Sequence, residues 1–101
     1  MTDQSRDEFL IAALGASAGG LEAFEKFFKR MPADAGIGYI VVQHLAPNHP
    51  SALAEILARH TDMPVEQATD SMRIVPDQVY IMPPNATLTV KNGTLRVTAP
   101  V

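Results

Sequence analysis

The chain has 101 residues, of which 47% are hydrophobic, and its mean hydropathy is +0.04, values typical of one small globular domain. It contains no cysteine, which excludes disulfides, thiol catalysis and cysteine-ligated metal. The formal net charge is -3 at pH 7 and no cluster of Lys or Arg is present, so we expect no nucleic-acid partner.

The apolar runs are far shorter than the ~20 residues that cross a bilayer, so we expect no membrane insertion. Residues 1–8 are polar and charged, without the basic and apolar regions of a secretory signal. We predict a disordered leader over residues 1–8, a domain over residues 9–101 and a cytoplasmic location, which the absence of cysteine fits.

Two apolar runs with a helical pattern between them predict a β-α-β unit. Phe9 to Leu14 is too short for a helix and is bounded by glycine, which favours a buried strand. The run from Ile37 to Val42 favours a second buried strand, joined to the first by a right-handed crossover. Between them, Pro32 ends a helix whose apolar residues recur at helical spacing: Leu21, Phe24, Phe28 and Met31.

A loop, a second helix and four short strands follow. Asn48 or Ser51 caps the helix, which runs to about Thr61, before Pro64. Short strands are predicted at 65–68 and 79–82, and a hairpin at 88–91 and 94–97 whose Asn92-Gly93 turn suits type I′ geometry. The predicted fold class is α/β: a partial doubly wound, Rossmann-like parallel sheet with helices on both faces and a C-terminal β-hairpin.

A candidate nucleophile and base follow the first two strands. Ser17 lies in Gly15-Ala16-Ser17-Ala18-Gly19, the G-x-S-x-G pattern that exposes a serine hydroxyl at a strand-to-helix turn. His44 follows the second strand, and ligands of open α/β sheets bind at the carboxyl ends of the strands. If the strands are neighbours, His44 can take the proton of Ser17, while the amino end of the first helix stabilises an oxyanion.

The same residues have other interpretations. A turn of small residues also binds dinucleotides, but the order here is not G-x-G-x-x-G and no acidic residue ends the second strand. His49 is predicted to belong to a capping loop and His60 to the last turn of the second helix. Their spacing with His44 matches no metal site, so we predict neither metal nor cofactor. Tyr80 and Met82 are predicted to pack within a strand.

Three stretches of the chain are distinctive: L-I-A-A-L-G-A-S-A-G-G-L-E-A-F, Y-I-V-V-Q-H-L-A-P-N-H-P-S-A-L-A-E-I-L and E-Q-A-T-D-S-M-R-I-V-P-D-Q-V-Y-I-M-P-P-N. In their order and spacing they resemble the CheB-type protein-glutamate methylesterase domain, from about Phe9 to the end of the hairpin. They are most similar to versions in which this domain opens a fusion with a CheR-type methyltransferase.

The resemblance implies hydrolysis of γ-glutamyl methyl esters on methyl-accepting chemotaxis receptors, and often deamidation of receptor glutamines. It implies Ser17 as nucleophile, His44 as base, and Ala18 and Gly19 as the oxyanion and turn residues. Many members have threonine where this chain has Ala18, although fusion-type members often have alanine too. A non-catalytic module that binds a receptor or another partner is the alternative.

The resemblance also implies a catalytic aspartate in a glycine-rich segment downstream of these 101 residues. None of Asp62, Asp70 and Asp77 lies in a comparable loop, so we assign none of them and expect negligible esterase activity from this polypeptide alone. Because later strands of the family's sheet lie beside the first one, we expect an apolar edge at Phe9 to Leu14. We expect self-association of these residues, either by pairing at this edge or by burial of the helix face that the later half of the domain would cover.

Overall fold

The computed structural model describes residues 9–16, 21–43, 52–83 and 86–98. In chain order, the helices and strands are β1 (Leu10–Ala16), α1 (Leu21–Arg30), β2 (Ile37–Gln43), α2 (Ala52–Ala58), β3 (Val65–Gln67), β4 (Gln78–Ile81), β5 (Thr87–Lys91) and β6 (Thr94–Thr98). Each predicted element is present. The largest difference is at α2, which ends before the predicted Thr61.

The first four strands form one parallel sheet in the order β1-β2-β4-β3, and β5 and β6 form a separate antiparallel hairpin. The parallel pairing of β1 with β2 confirms the predicted β-α-β unit. In the hairpin turn, Asn92 has φ 54° and Gly93 has φ 76°. Positive φ at both central residues is the requirement of a type I′ turn, so the predicted hairpin is confirmed.

Both helices of the described residues lie on the same face of the sheet, so the prediction of helices on both faces is wrong for this part of the chain. Phe24 and Phe28 of α1 and Leu53 and Leu57 of α2 share one buried cluster with sheet residues. The reason is the strand order: β1 to β2 and β2 to β3 both step in one direction across the sheet. Right-handed crossovers then place both helices on one side.

The other face is covered by the connection from β3 to β4 and by the hairpin. This connection steps back across the sheet, which places it opposite the helices. Ile40 and Tyr80 of the sheet are buried there against Ile74 and Leu95. Backbone hydrogen bonds tie the hairpin to the connection, with Ile74 N donating to Gly93 O at 2.8 Å and Leu95 N to Met72 O at 2.7 Å.

The strand β1 lies at an edge of the sheet, with β2 as its one neighbour in the described residues. Leu10 is 72% exposed and Ile11 is 37% exposed. The prediction of a buried strand is therefore wrong for β1, because a continuous apolar run does not show on how many sides a strand is covered. The predicted apolar edge agrees with this position.

Two buried tyrosines on neighbouring strands differ in their hydrogen bonding. Tyr80 Oη accepts from Val75 N at 2.9 Å and donates to Arg73 O at 3.2 Å. The hydroxyl of Tyr39 has no hydrogen-bond partner among the described residues, and its ring makes T-shaped contacts with Phe27 and Phe28. Burial raises the pKa of Tyr39, and the charge of Asp77 adds to the rise.

We expect Tyr39→Phe to leave the free energy of unfolding unchanged or to raise it by about 1 kcal/mol, since it removes a buried hydroxyl that has no hydrogen-bond partner in the part of the chain that the structure describes. The matched variant Tyr80→Phe should lower it by about 1 kcal/mol, because the hydrogen bonds to the β3–β4 connection are lost. Urea unfolding of both variants measures the difference. A larger loss for Tyr39→Phe than for Tyr80→Phe would contradict this assignment.

Candidate active site at the carboxyl edge of the sheet

The carboxyl ends of the parallel strands lie along one edge of the sheet, which we call the carboxyl edge. The strands β1 and β2 end level with each other, because the last residues of the two strands, Ala16 and Gln43, are partners in the ladder. Neighbouring strands are about 4.8 Å apart in the hydrogen-bonding direction. The chain therefore leaves the two strands at adjacent points of the carboxyl edge.

Ser17 and His44 are the next residues in the sequence after these two strand ends. Both lie outside the described residues, as do Ala18 and Gly19. Their roles as nucleophile, base and oxyanion or turn residues therefore remain predictions. What the structure gives is the register of the two strands that precede them.

The helix α1 begins at Leu21, shortly after β1 leaves the sheet, so its amino end belongs to the carboxyl edge. The amino end of a helix carries partial positive charge, which favours an anion nearby. Glu22 in its first turn is paired with Lys26, with 3.2 Å between Oε1 and Nζ. This pair is highly exposed to solvent.

A third strand end lies on the other side of β2. The strand β4 pairs with β2 up to Val41 and Ile81, and Met82 N then donates to Val41 O at 2.9 Å. Met82 and Pro83 are half-buried where the chain leaves the sheet. Periodicity predicted Met82 as strand packing and could not find this position, because it depends on β4 lying beside β2.

The histidine that the structure does describe, His60, lies at the opposite edge. It follows α2, which returns the chain from the carboxyl edge to the start of β3. The ring atom Nε2 of His60 is 3.9 Å from Oε1 of Glu25, and the backbone N–H of His60 donates to Leu57 O at 2.9 Å. The predicted structural role fits these contacts, although His60 lies just past the helix rather than in its last turn.

Two aspartates that the sequence left unassigned have structural contacts. Asp77 has φ 63°, and its Oδ1 accepts from Gly36 N at 2.7 Å at the start of β4. Asp70 Oδ1 accepts from Val97 N at 2.9 Å and holds the hairpin. Each therefore stabilises a turn or the hairpin.

Within residues 9–16, 21–43, 52–83 and 86–98, no group of three or more histidine, aspartate or glutamate side chains is arranged to hold a metal ion. Among the helices described there, none has the length and apolarity to cross a membrane.

A parallel α/β sheet in which one strand leads into G-x-S-x-G and its neighbour into a histidine is typical of hydrolases with a serine nucleophile. Comparison with known proteins identifies the family. The family model described as CheB methylesterase matches residues 12–101. The chain belongs to the CheB methylesterase family.

Several relatives have names that state an activity. A protein-glutamate methylesterase/protein-glutamine glutaminase of Xanthomonas oryzae pv. oryzae is 44% identical over 73 residues, which are 72% of this chain and 20% of that protein. One from Bdellovibrio bacteriovorus is 36% identical over 84 residues, 83% of this chain and 23% of that protein. The chain thus spans about a fifth of the length of these curated relatives.

Among solved structures, the CheB methylesterase catalytic domain of Thermotoga maritima matches with a TM-score of 0.77 and 26% sequence identity. The match covers 91% of this chain and 50% of that domain. The described sheet and helices therefore have the fold of about half of a CheB catalytic domain.

Proposed function

We propose that this chain supplies the nucleophile and the base of a protein-glutamate methylesterase that also deamidates glutamine. Its substrates are γ-glutamyl methyl esters and glutamines of methyl-accepting chemotaxis receptors. Family membership and the names of the relatives support this activity. The observation that carries the assignment of residues is the register of β1 and β2, whose last paired residues directly precede Ser17 and His44.

The proposed reaction proceeds through an acyl-enzyme. His44 takes the proton of the Ser17 hydroxyl as its oxygen attacks the ester carbonyl carbon. Backbone N–H groups at Ala18 and Gly19, together with the amino end of α1, stabilise the oxyanion. The C–O bond breaks, His44 protonates the leaving methoxide, and methanol departs. Water then attacks the acyl-enzyme with the same base, which releases glutamate and restores Ser17; with glutamine, ammonia leaves instead.

We further place this activity in the cytoplasm, which the absence of cysteine supports. We also propose a CheR-type methyltransferase, fused or associated, as a partner. The resemblance of the three distinctive sequence stretches to fusion-type members supports this partner. The two enzymes then act in opposite directions on the same receptor glutamates.

The first test uses Ser17→Ala and His44→Gln in the full-length gene product. Each should lower methanol release from a methylated receptor by roughly 10⁴- to 10⁶-fold, because serine and histidine act as one unit. The matched control is His60→Gln, since His60 follows the carboxyl end of α2 and its side chain lies beside Glu25 of α1. It should retain wild-type turnover.

Labelling with a fluorophosphonate gives a second readout. Wild type and His60→Gln should be labelled at Ser17, and Ser17→Ala should not. Full turnover in Ser17→Ala would overturn the proposed function. Receptor binding without turnover in the wild type would identify a binding module in place of an enzyme.

A polypeptide limited to these 101 residues corresponds to half of the solved catalytic domain. We expect its turnover to be lower than that of the full-length gene product by roughly 10⁴-fold, the effect of losing the acid that orients a catalytic histidine. Methanol release by the two polypeptides at equal concentration measures this. Equal activity would show that no orienting acid is needed from outside these residues.

We propose that the same polypeptide self-associates through β1, with a second copy as the partner. The sequence of β1, LIAALGA, contains neither charge nor proline, and Leu10 is 72% exposed. The opposite edge strand, β3, is protected: it has three residues and carries the exposed Glu66. A long uncharged edge is a template for strand pairing.

Light scattering of the 101-residue polypeptide should therefore give a mass above that of one chain. Ile11→Lys, which places a charge on β1, should shift the population towards the monomer. Val90→Lys is the control, because Val90 is a similarly exposed apolar residue, at 43% against 37%, on the hairpin. A monomeric wild type, or equal dissociation by both lysine variants, would contradict pairing through β1.

A further inference from the structure

The turn of the hairpin combines an exposed amide side chain with a following residue that has no side chain. Asn92 is exposed, and a Cβ built on Gly93 would meet no atom within 4 Å. The N–H of Gly93 lies inside the last ladder pair, Lys91 with Thr94, and it donates no backbone hydrogen bond among the described residues. No such bond therefore holds this nitrogen away from the side chain of Asn92.

The amide of Asn92 and the nitrogen of Gly93 are joined through the backbone and can react with each other. The nitrogen, after losing its proton to base, attacks Cγ of Asn92, and glycine allows this approach because it has no Cβ. The bond from Cγ to the side-chain nitrogen breaks, ammonia leaves, and a cyclic succinimide forms. Water then opens the ring. Opening at Cγ gives aspartate, whereas opening at the backbone carbonyl gives isoaspartate, whose backbone is longer by one methylene group.

We infer that Asn92 is a site of spontaneous deamidation, and that its isoaspartyl product releases the hairpin from the β3–β4 connection. The chain has three asparagines, Asn48, Asn85 and Asn92, and Asn92 is the one that precedes glycine. Water is the co-reactant in every step, and neither Ser17 nor His44 takes part. The inference is therefore independent of the proposed function.

The structural consequence follows from what the turn holds in place. The carbonyl oxygen of Gly93 accepts from Ile74 N at 2.8 Å, and Leu95 N donates to Met72 O at 2.7 Å. Leu95 is 0% exposed and belongs to the cluster that covers this face of the sheet. A type I′ turn needs positive φ at both of its central residues, and a backbone with an added methylene group cannot reproduce that geometry. Isoaspartate at this position therefore displaces the carbonyl of Gly93 and weakens both hydrogen bonds.

The first test incubates the full-length gene product at mildly alkaline pH, where the backbone nitrogen loses its proton more readily, and locates isoaspartate by peptide mapping. Isoaspartate should accumulate at position 92. Asn92→Gly keeps a turn sequence that suits positive φ but has no amide side chain, so it should accumulate none there. The same protein unfolded in urea is the reference for the assay. Conversion of Asn92 in urea but not in the folded protein would overturn the inference.

Amide hydrogen exchange tests the release of the hairpin. In the isoaspartyl protein, the N–H groups of Ile74 and Leu95 should exchange about tenfold faster than in the unmodified protein. The N–H of Val79, which donates to Pro64 O at 2.9 Å and joins β4 to the start of β3, is the internal control and should not change.

Asn92→Asp is the matched variant, because it adds the same negative charge on a backbone of normal length. Its N–H groups at Ile74 and Leu95 should exchange as in the unmodified protein, since Asp-Gly also suits a type I′ turn. Equal exchange in the isoaspartyl protein and in Asn92→Asp would overturn the release of the hairpin. Faster exchange at Val79 as well would show general unfolding in place of a local release, and would overturn it too.

Discussion

The parallel ladder between β1 and β2 is the constraint on which the site depends. Seven consecutive residue pairs, from Leu10 with Ile37 to Ala16 with Gln43, bring two segments of the chain level at their carboxyl ends. A slip of this ladder by one residue would turn every side chain of β1 to the other face of the sheet. The apolar residues of β1 that pack towards the helices therefore hold the register, and the register determines where the chain leaves the sheet at Ser17 and His44.

The elements that local sequence determines were predictable, and those that depend on strand order were not. Apolar periodicity identified α1 and the strands, and Asn92-Gly93 identified the hairpin. Neither shows that β4 lies between β2 and β3, because pairing of distant strands leaves no local pattern. That order explains why both helices share one face and why β1 lies at an edge. It also explains why periodicity did not predict that Met82 lies beside β2 at the carboxyl edge.

The candidate site shows the same division. Sequence pattern named Ser17 and His44 because a nucleophile turn and a strand-end histidine each have a local signature. The prediction that they belong to one cleft needed the first two strands to be neighbours, and the ladder between β1 and β2 meets that condition. Asp70 and Asp77, which have no such signature, instead hold the hairpin and the start of β4.

Gly38 connects the packing of the hairpin face to the position of β4. A Cβ at Gly38 would lie 2.9 Å from Cγ2 of Ile74 and 3.2 Å from the carbonyl oxygen of Val75, so the β3–β4 connection crosses β2 closely only because this residue has no side chain. Tyr80 holds the same connection from β4 through its hydrogen bond from Val75 N. These contacts keep the connection flat against the sheet, which lets β4 pair with β2 and brings Met82 to the carboxyl edge. A glycine at the amino end of β2 thus helps to determine which residue lies beside the candidate site at its other end.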